Sequence, residues 1–207
     1  MKKSTLISLI AGGLISGVWL GGCADDCTCS SDRTFEVVPT DMKFRADGQT
    51  RFVSVETDGE WSYGIIEPDG SRGVCRCEKT DCGLNVTMPV ATEAEERYAR
   101  VVVKARQQMR SVTVKQEGVT LEVEADRLEF GPEGDSRELA VTCNLTRWDF
   151  LVDEPEGEEG RCTVERRNNK LVVTVAPASG ASDYEARIVV RAGSLSRKTV
   201  VRQAAGS

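Results

Sequence analysis

The stretch Ala99-Arg100-Val101-Val102-Val103 returns 87 residues later as Ala186-Arg187-Ile188-Val189-Val190, with Val101/Val103 and Ile188/Val190 alternating with other side chains. Apolar residues at a period of two mark a strand with one face on a core and the other in water. Working outward at the same offset, Trp61 matches Trp148, Pro68 matches Pro155, and Gly70 and Gly73 match Gly157 and Gly160. Cys75 matches Cys162, Leu84/Val86/Met88 match Leu171/Val173/Val175, and Gln116 matches Gln203. Tyr98 lies one place off the counterpart of Tyr184. Nearer the N-terminus the offset is 86: Phe35-Glu36-Val37 pairs with Leu121-Glu122-Val123, Met42-Lys43-Phe44 with Leu128-Glu129-Phe130, and Gly48 with Gly134. A single one-residue gap reconciles the two offsets, so the chain reads as a duplicated module.

Each copy alternates throughout: Val53/Val55, Leu84/Val86/Met88 and Val112/Val114 in the first, Leu139/Val141/Cys143, Leu171/Val173/Val175 and Val200 in the second. Gly- or Pro-bearing turns such as Ala46-Asp47-Gly48 and Gly131-Pro132-Glu133-Gly134 separate the runs at short intervals. Seven or so short strands per copy, with a tryptophan on the third, predict an all-β fold of two tandem immunoglobulin-like β-sandwich domains. The boundary is placed at Glu117-Gly118, giving domains 35–118 and 119–207.

Composition narrows the chemistry. The 207 residues contain no histidine, which removes serine–histidine–acid triads, cysteine–histidine dyads and histidine-bearing zinc sites. A formal charge of −6 lacks the basic footprint of a nucleic-acid binder. No catalytic residue, cofactor or metal site is expected.

The N-terminus supplies an address. Lys2 and Lys3 precede an apolar run from Leu6 to Leu20, which ends in Leu20-Gly21-Gly22-Cys23. A basic start, a short apolar segment and small residues before the cut describe a cleaved signal peptide over 1–22. A cysteine at the cut reads as a lipoprotein box, so Cys23 is the expected lipidation site and the membrane, reached through the lipid, the expected partner. Residues 23–34 form an acidic linker opening Cys23-Ala24-Asp25-Asp26. Two aspartates behind the anchor resemble the acidic export tag of Bacteroidota lipoproteins, which implies lipid anchoring in the outer membrane with exposure at the cell surface, the periplasmic face being the alternative. The glycines Gly12, Gly13 and Gly17 imitate part of a phosphate loop, but no Lys-Ser/Thr follows them.

The same residues also resemble a known family. The opening strand, Met42-Lys43-Phe44 before Gly48, the strand before Trp61, the Tyr98-Ala99-Arg100 strand and the closing Val112-Thr113-Val114-Lys115-Gln116-Glu117-Gly118 are similar to the BACON domain, the Bacteroidetes-associated carbohydrate-binding often N-terminal module. The second copy repeats the pattern as far as Arg202-Gln203, so the resemblance covers residues 35–206. It implies tandem sandwiches on surface or periplasmic proteins, often beside glycoside hydrolases, with carbohydrate binding proposed for the family and spacing for some members.

Individual side chains sort as follows. Trp61 and Trp148 could stack on sugar rings, but their matched strand positions suit core packing. Tyr63, Tyr98, Phe150 and Tyr184 remain as ligand-platform candidates, each also readable as a strand-edge or cross-strand contact. The run Asp153-Glu154-Pro155-Glu156-Gly157-Glu158-Glu159 has carboxylates but no alternating Asp-x-Asp spacing for calcium, and reads as a solvated loop, as does Glu93/Glu95/Glu96. With Cys23 lipidated, seven cysteines remain, an odd number. Cys27, Cys29, Cys75, Cys77 and Cys82 lack the two-residue spacing of zinc knuckles, and an exported setting favours oxidation, so their pairing stays open. Cys143 continues the inward parity of Leu139 and Val141, Cys162 shares parity with Val164, and a disulfide between Cys143 and Cys162 is expected.

The expected function is therefore a lipid-anchored, non-enzymatic binding or spacer protein, with a glycan or glycoprotein such as mucin as candidate partner and oligomeric state open. The alternatives are a component of a larger surface assembly and an enzyme using a carboxylate pair such as Glu158 and Glu159.

Overall fold

A computed structural model describes residues 35–68 and 74–206. The signal peptide, Cys23, the acidic linker, Cys27 and Cys29 lie outside the described residues. No helix occurs among those described.

The first module runs β1 (Glu36–Val38), β2 (Asp41–Phe44), β3 (Gln49–Glu56), β4 (Trp61–Ile66), β5 (Arg76–Thr80), β6 (Gly83–Met88), β7 (Arg97–Ala105) and β8 (Gln108–Gln116). The second repeats it as β9 (Leu121–Val123), β10 (Arg127–Phe130), β11 (Asp135–Cys143), β12 (Asp149–Asp153), β13 (Cys162–Arg167), β14 (Lys170–Val175), β15 (Tyr184–Ala192) and β16 (Leu195–Gln203). Each module stacks two four-stranded sheets, ordered β1-β3-β6-β5 over β2-β8-β7-β4, and β9-β11-β14-β13 over β10-β16-β15-β12. These are two immunoglobulin-like sandwiches in tandem.

The count is eight strands per module rather than seven, because the opening strand is split. In the first module β1 pairs antiparallel with β3, the chain crosses at Pro39-Thr40, and β2 pairs parallel with β8 in the facing sheet. Pro39 has no N–H to give a ladder, so the strand changes sheets there at little cost. The split moves the tryptophan from the third strand to the fourth: Trp61 opens β4 and Trp148 immediately precedes β12.

Alternation places the cores. Val53, Val55, Leu84, Val86, Val101 and Val112 meet in the first, and Leu139, Val141, Leu171, Val173, Ile188 and Val201 in the second. Burying a side chain of this size contributes about 1.5–3 kcal/mol relative to leaving it exposed. Trp148 is inside the second core at 6% exposure, whereas Trp61 is only half-buried against the first.

The expected Cys143–Cys162 disulfide is corrected: both are free thiols. Parity is right for both, since Cys162 is buried and Cys143 packs against the same core. Height along the sheet is not. Cys162 stands opposite Val175, and Val175 opposite Asp135, at the start of the strand that ends with Cys143. The eight steps from Asp135 to Cys143 span about 26 Å at about 3.3 Å each, far beyond the Cα separation of about 7 Å that a disulfide allows.

Candidate functional site

The four platform candidates do not share a face. Tyr63 is half-buried on β4, packs on the first core and donates its hydroxyl to the Cys77 carbonyl at 2.8 Å. Phe150 packs on the second core. Tyr184 is 1% exposed. Tyr98 alone is exposed, at 45%; its hydroxyl donates to Glu96 at 2.6 Å, and Lys115 lies over its ring while pairing with Glu96 at 2.7 Å. Phe52, on the opposite sheet of the first module, is also exposed, but its ring lies where a Cβ on Gly83 would go, so it covers a glycine.

The acidic loop is organised inward. Glu154 accepts bonds from the Gly160 amide, the Cys162 amide and the Tyr184 hydroxyl, each at 2.7 Å. Burial alone would push its carboxyl up, but the Tyr184 hydroxyl and the amides of Cys162, Gly160 and Arg161 outweigh burial and hold it below the usual glutamate range. Burial, and then the Glu154 bond, raise the Tyr184 phenol in turn, and the buried Cys162 thiol is pushed up to about 11. Arg161 lies over the Tyr184 ring at 4.5 Å, pairs with Glu158, and donates from Nε and Nη2 to Gln203 Oε1 at 3.1 and 2.7 Å. Gln203 Nε2 donates to the Gly131 and Ala176 carbonyls at 3.1 and 2.9 Å. Glu159 accepts from the Gly157 amide. This is a clamp that fixes the loop between β12 and β13, with Glu154, Glu158 and Glu159 engaged by donors rather than facing one another across a cleft. Open depressions of about 270 and 500 Å³ flank it, the larger floored by Glu129, Glu185 and Arg202. Among the described residues no three Cys, Asp or Glu side chains converge as a metal set.

The most elaborated feature is the junction between modules. Ala46 and Ala91, at the base of the first module, are buried in the second module's cluster with Val119, Leu121, Leu145 and Trp148. The Val119 amide donates to Glu93 O at 2.8 Å, and the Ser194 amide to Thr92 O at 2.7 Å. Asn144 holds the connector from both sides, accepting from the Thr120 amide and donating to Gly118 O, both at 2.8 Å. Asp47 accepts from the Thr146 amide at 2.8 Å. Two glycines are sterically required. A Cβ at Gly118 would lie 1.9 Å from Ala94 O, and one at Gly193, where φ is +57°, 2.4 Å from Thr92 O. The base of the first sandwich is thus seated head to tail on the tip of the second.

Sequence reading found the connector at Glu117-Gly118 and the matched pair Gln116/Gln203, but not what Glu154, Arg161 or Asn144 do. Only the matches of Pro68 with Pro155 and of Gly70 and Gly73 with Gly157 and Gly160 pointed to the clamp loop, and nothing in a repeat alignment marks residues that meet across a junction.

No protein-family model matches the chain, and no curated protein sequence does. Solved structures give likenesses of fold alone. The I9-I11 tandem from titin is similar with a TM-score of 0.46 and 10% identity, over 84% of this chain and 67% of that one. A protein from Bacteroides thetaiotaomicron solved by NMR is similar with a TM-score of 0.37 and 17% identity, over 42% of this chain and 88% of its own. An endo-fucoidan hydrolase from glycoside hydrolase family 107 is similar with a TM-score of 0.35 and 11% identity over 81% of this chain, which spans only 28% of that hydrolase.

Proposed function

We propose that the chain is a lipid-anchored, non-enzymatic protein of the outer membrane surface, in which two BACON-like sandwiches act as a stiff spacer. The observation that carries this reading is the junction. A flexible pair of domains needs only a solvated connector, whereas here Val119 and Leu145 are buried, and the connector's amides and carbonyls are bonded to both modules. Burial of Val119 and Leu145 contributes about 1.5–3 kcal/mol each, and the surrounding hydrogen bonds about 0.5–1.5 kcal/mol apiece. A spacer needs that stiffness; it needs neither a cleft nor a convergent pair of acids.

Glycan or mucin binding is the second reading, favoured by exposed Tyr98 with Lys43 and Lys115 beside it in one cross-strand row. An exposed aromatic ring, its hydroxyl and Lys115 both bonded to Glu96, offers a stacking face and polar rim for a sugar ring.

Fractionation tests the anchor. Cys23→Ser should move the protein from the membrane to the soluble fraction, since acyl chains supply about 0.8 kcal/mol per buried CH₂. Protease added to intact cells should digest the wild type. Retention of the serine variant in the membrane would overturn lipid anchoring, and protection of the wild type would overturn surface display. Binding of the full chain to glycans or mucin, lost on Tyr98→Ala, would promote the second reading; no binding to either leaves the spacer role.

A further inference from the structure

Cys75 and Cys77 stand two residues apart where the chain enters β5, and both side chains face the first core: Cys75 is buried within it at 3% exposure and Cys77 packs against it half-buried. Cys75 lies at the bend just before β5 and Cys77 is the second residue of that strand; residues i and i+2 of an extended chain have Cα atoms about 6.6 Å apart, the upper end of the range a disulfide spans, so closure draws the two Cβ atoms together. Each backbone is held in place from outside the segment. The Cys75 amide donates to Glu67 Oε1 at 2.6 Å, and the Cys77 carbonyl accepts the Tyr63 hydroxyl at 2.8 Å. Cys82 is not an equivalent partner for this pair. It lies in the turn joining β5 to β6, at the far end of the hairpin and about 13 Å along it from Cys77. The second module keeps the first of the two sulfurs, as Cys162, but has Val164 in place of the other.

We infer that Cys75 and Cys77 are an oxidation site, a preformed dithiol that closes to an intramolecular disulfide by exchange with a small-molecule or protein disulfide. Cys77 is the entry point, because it is the more accessible. Interaction between the two thiols lowers the Cys77 thiol below the usual range and raises that of Cys75. The Cys77 thiolate attacks one sulfur of the oxidant and expels the other as a thiolate. The Cys75 sulfur then attacks Cys77 in the mixed disulfide, its proton passes to water, and the second thiolate leaves. Two protein thiols are oxidised, one disulfide is reduced to two thiols, and the protons balance. The ring closes where the β4–β5 loop runs into β5, next to Val74, the position matched to Arg161 in the second module. The pairing rests on the geometry; only the supply of oxidant in the cell rests on the exported location proposed above.

Two arms separate those dependences. In the first, the purified full chain is reduced, exchanged into oxidised glutathione, alkylated without reductant and mapped. A 73–79 segment lighter by two hydrogens and closed to alkylation is expected, and Cys77→Ser should leave Cys75 blocked to no other protein cysteine. Glutathione retained on both residues, or a link from either to Cys82, Cys27 or Cys29, would overturn the assignment. In the second, protein taken directly from cells is alkylated and mapped. The same closed segment is expected; open thiols there, alongside a closed ring in the first arm, would sink the exported location and keep the pairing. Cys162→Ser should alter neither arm.

Discussion

The tips of the two sandwiches are the same structure put to opposite uses. In the second module the tip carries Leu145 and Gly193 and receives the base of the first module. In the first module the matched positions are Asp58 and Arg106, which pair at 2.8 Å across the free end. The turn conformation is shared, with φ of +53° at Arg106 and +57° at Gly193. Glycine is compulsory only where Thr92 presses on the turn; at the free tip an arginine bears the left-handed conformation because nothing opposes its Cβ. A duplicated module has therefore been specialised at one end to dock and at the other to stay apart.

The loops between the fourth and fifth strands diverge in a parallel way. Gln116 and Gln203 are both almost fully buried, and Gln116 Nε2 donates to Arg45 O and Pro89 O at 3.1 and 2.7 Å. The arginine that completes the second clamp, Arg161, is Val74 in the first module, and Tyr184 is replaced by Arg97. Gln116 Oε1 and Arg97 Nε consequently have no hydrogen-bond partner among the described residues. Among the described residues, the first module gives this buried acceptor no donor where the second supplies Arg161.

The largest effect that would break the comparison is expected at the tryptophans. Trp148→Ala should cost about 3–5 kcal/mol, while Trp61→Ala, at a half-buried site, should cost clearly less; chemical denaturation of the two variants decides, and equal losses would mean the two cores use the residue alike. Next comes the clamp. Arg161→Leu should lose about 1–3 kcal/mol by orphaning Gln203 Oε1, and Val74→Arg should gain a smaller amount by giving Gln116 Oε1 a donor. A destabilising Val74→Arg would show that the two loops are not interchangeable.

Acid unfolding sharpens the same contrast. Because the Glu154 carboxyl is held below its ordinary range, its contribution to stability is complete above the unfolded glutamate value of about 4.3 and is lost as pH falls through the folded value. Thermal melts between the neutral and acid limits should show the wild type losing stability there, and Glu154→Gln should flatten that limb. The smallest effect is expected at the free tip, where Arg106→Ala removes an exposed ion pair worth about 0.2–1 kcal/mol that salt screens. A large loss there would mean that the free tip is doing structural work like that of the docked one.

Alternation and the 86/87 offset made the duplication, the all-β class and most of the inward positions legible in the sequence. Four things were not. Parity says which side of a sheet a residue faces but not how far along it lies, and so Cys143 and Cys162 were brought together although register puts them at opposite ends. The split of the opening strand between β1 and β2 depends on which ladder each half joins, a non-local choice that left Trp61 and Trp148 assigned to the third strand. The junction joins loops far apart in sequence, Asp47 with Thr146 and Thr92 with Ser194, and no period encodes such contacts. Tyr184, offered as a ligand platform, turned inward because its hydroxyl satisfies Glu154, a partner thirty residues away.

Residual dipolar couplings measured separately for the strands of each module in the full chain test the stiff junction most directly. A rigid tandem aligns as one body, so the two modules should report a single alignment tensor of equal magnitude. Gly193→Val, which drives a side chain into Thr92 O, should leave both folds intact and split the tensors. Two tensors of different magnitude in the wild type would contradict the account and make the connector a hinge.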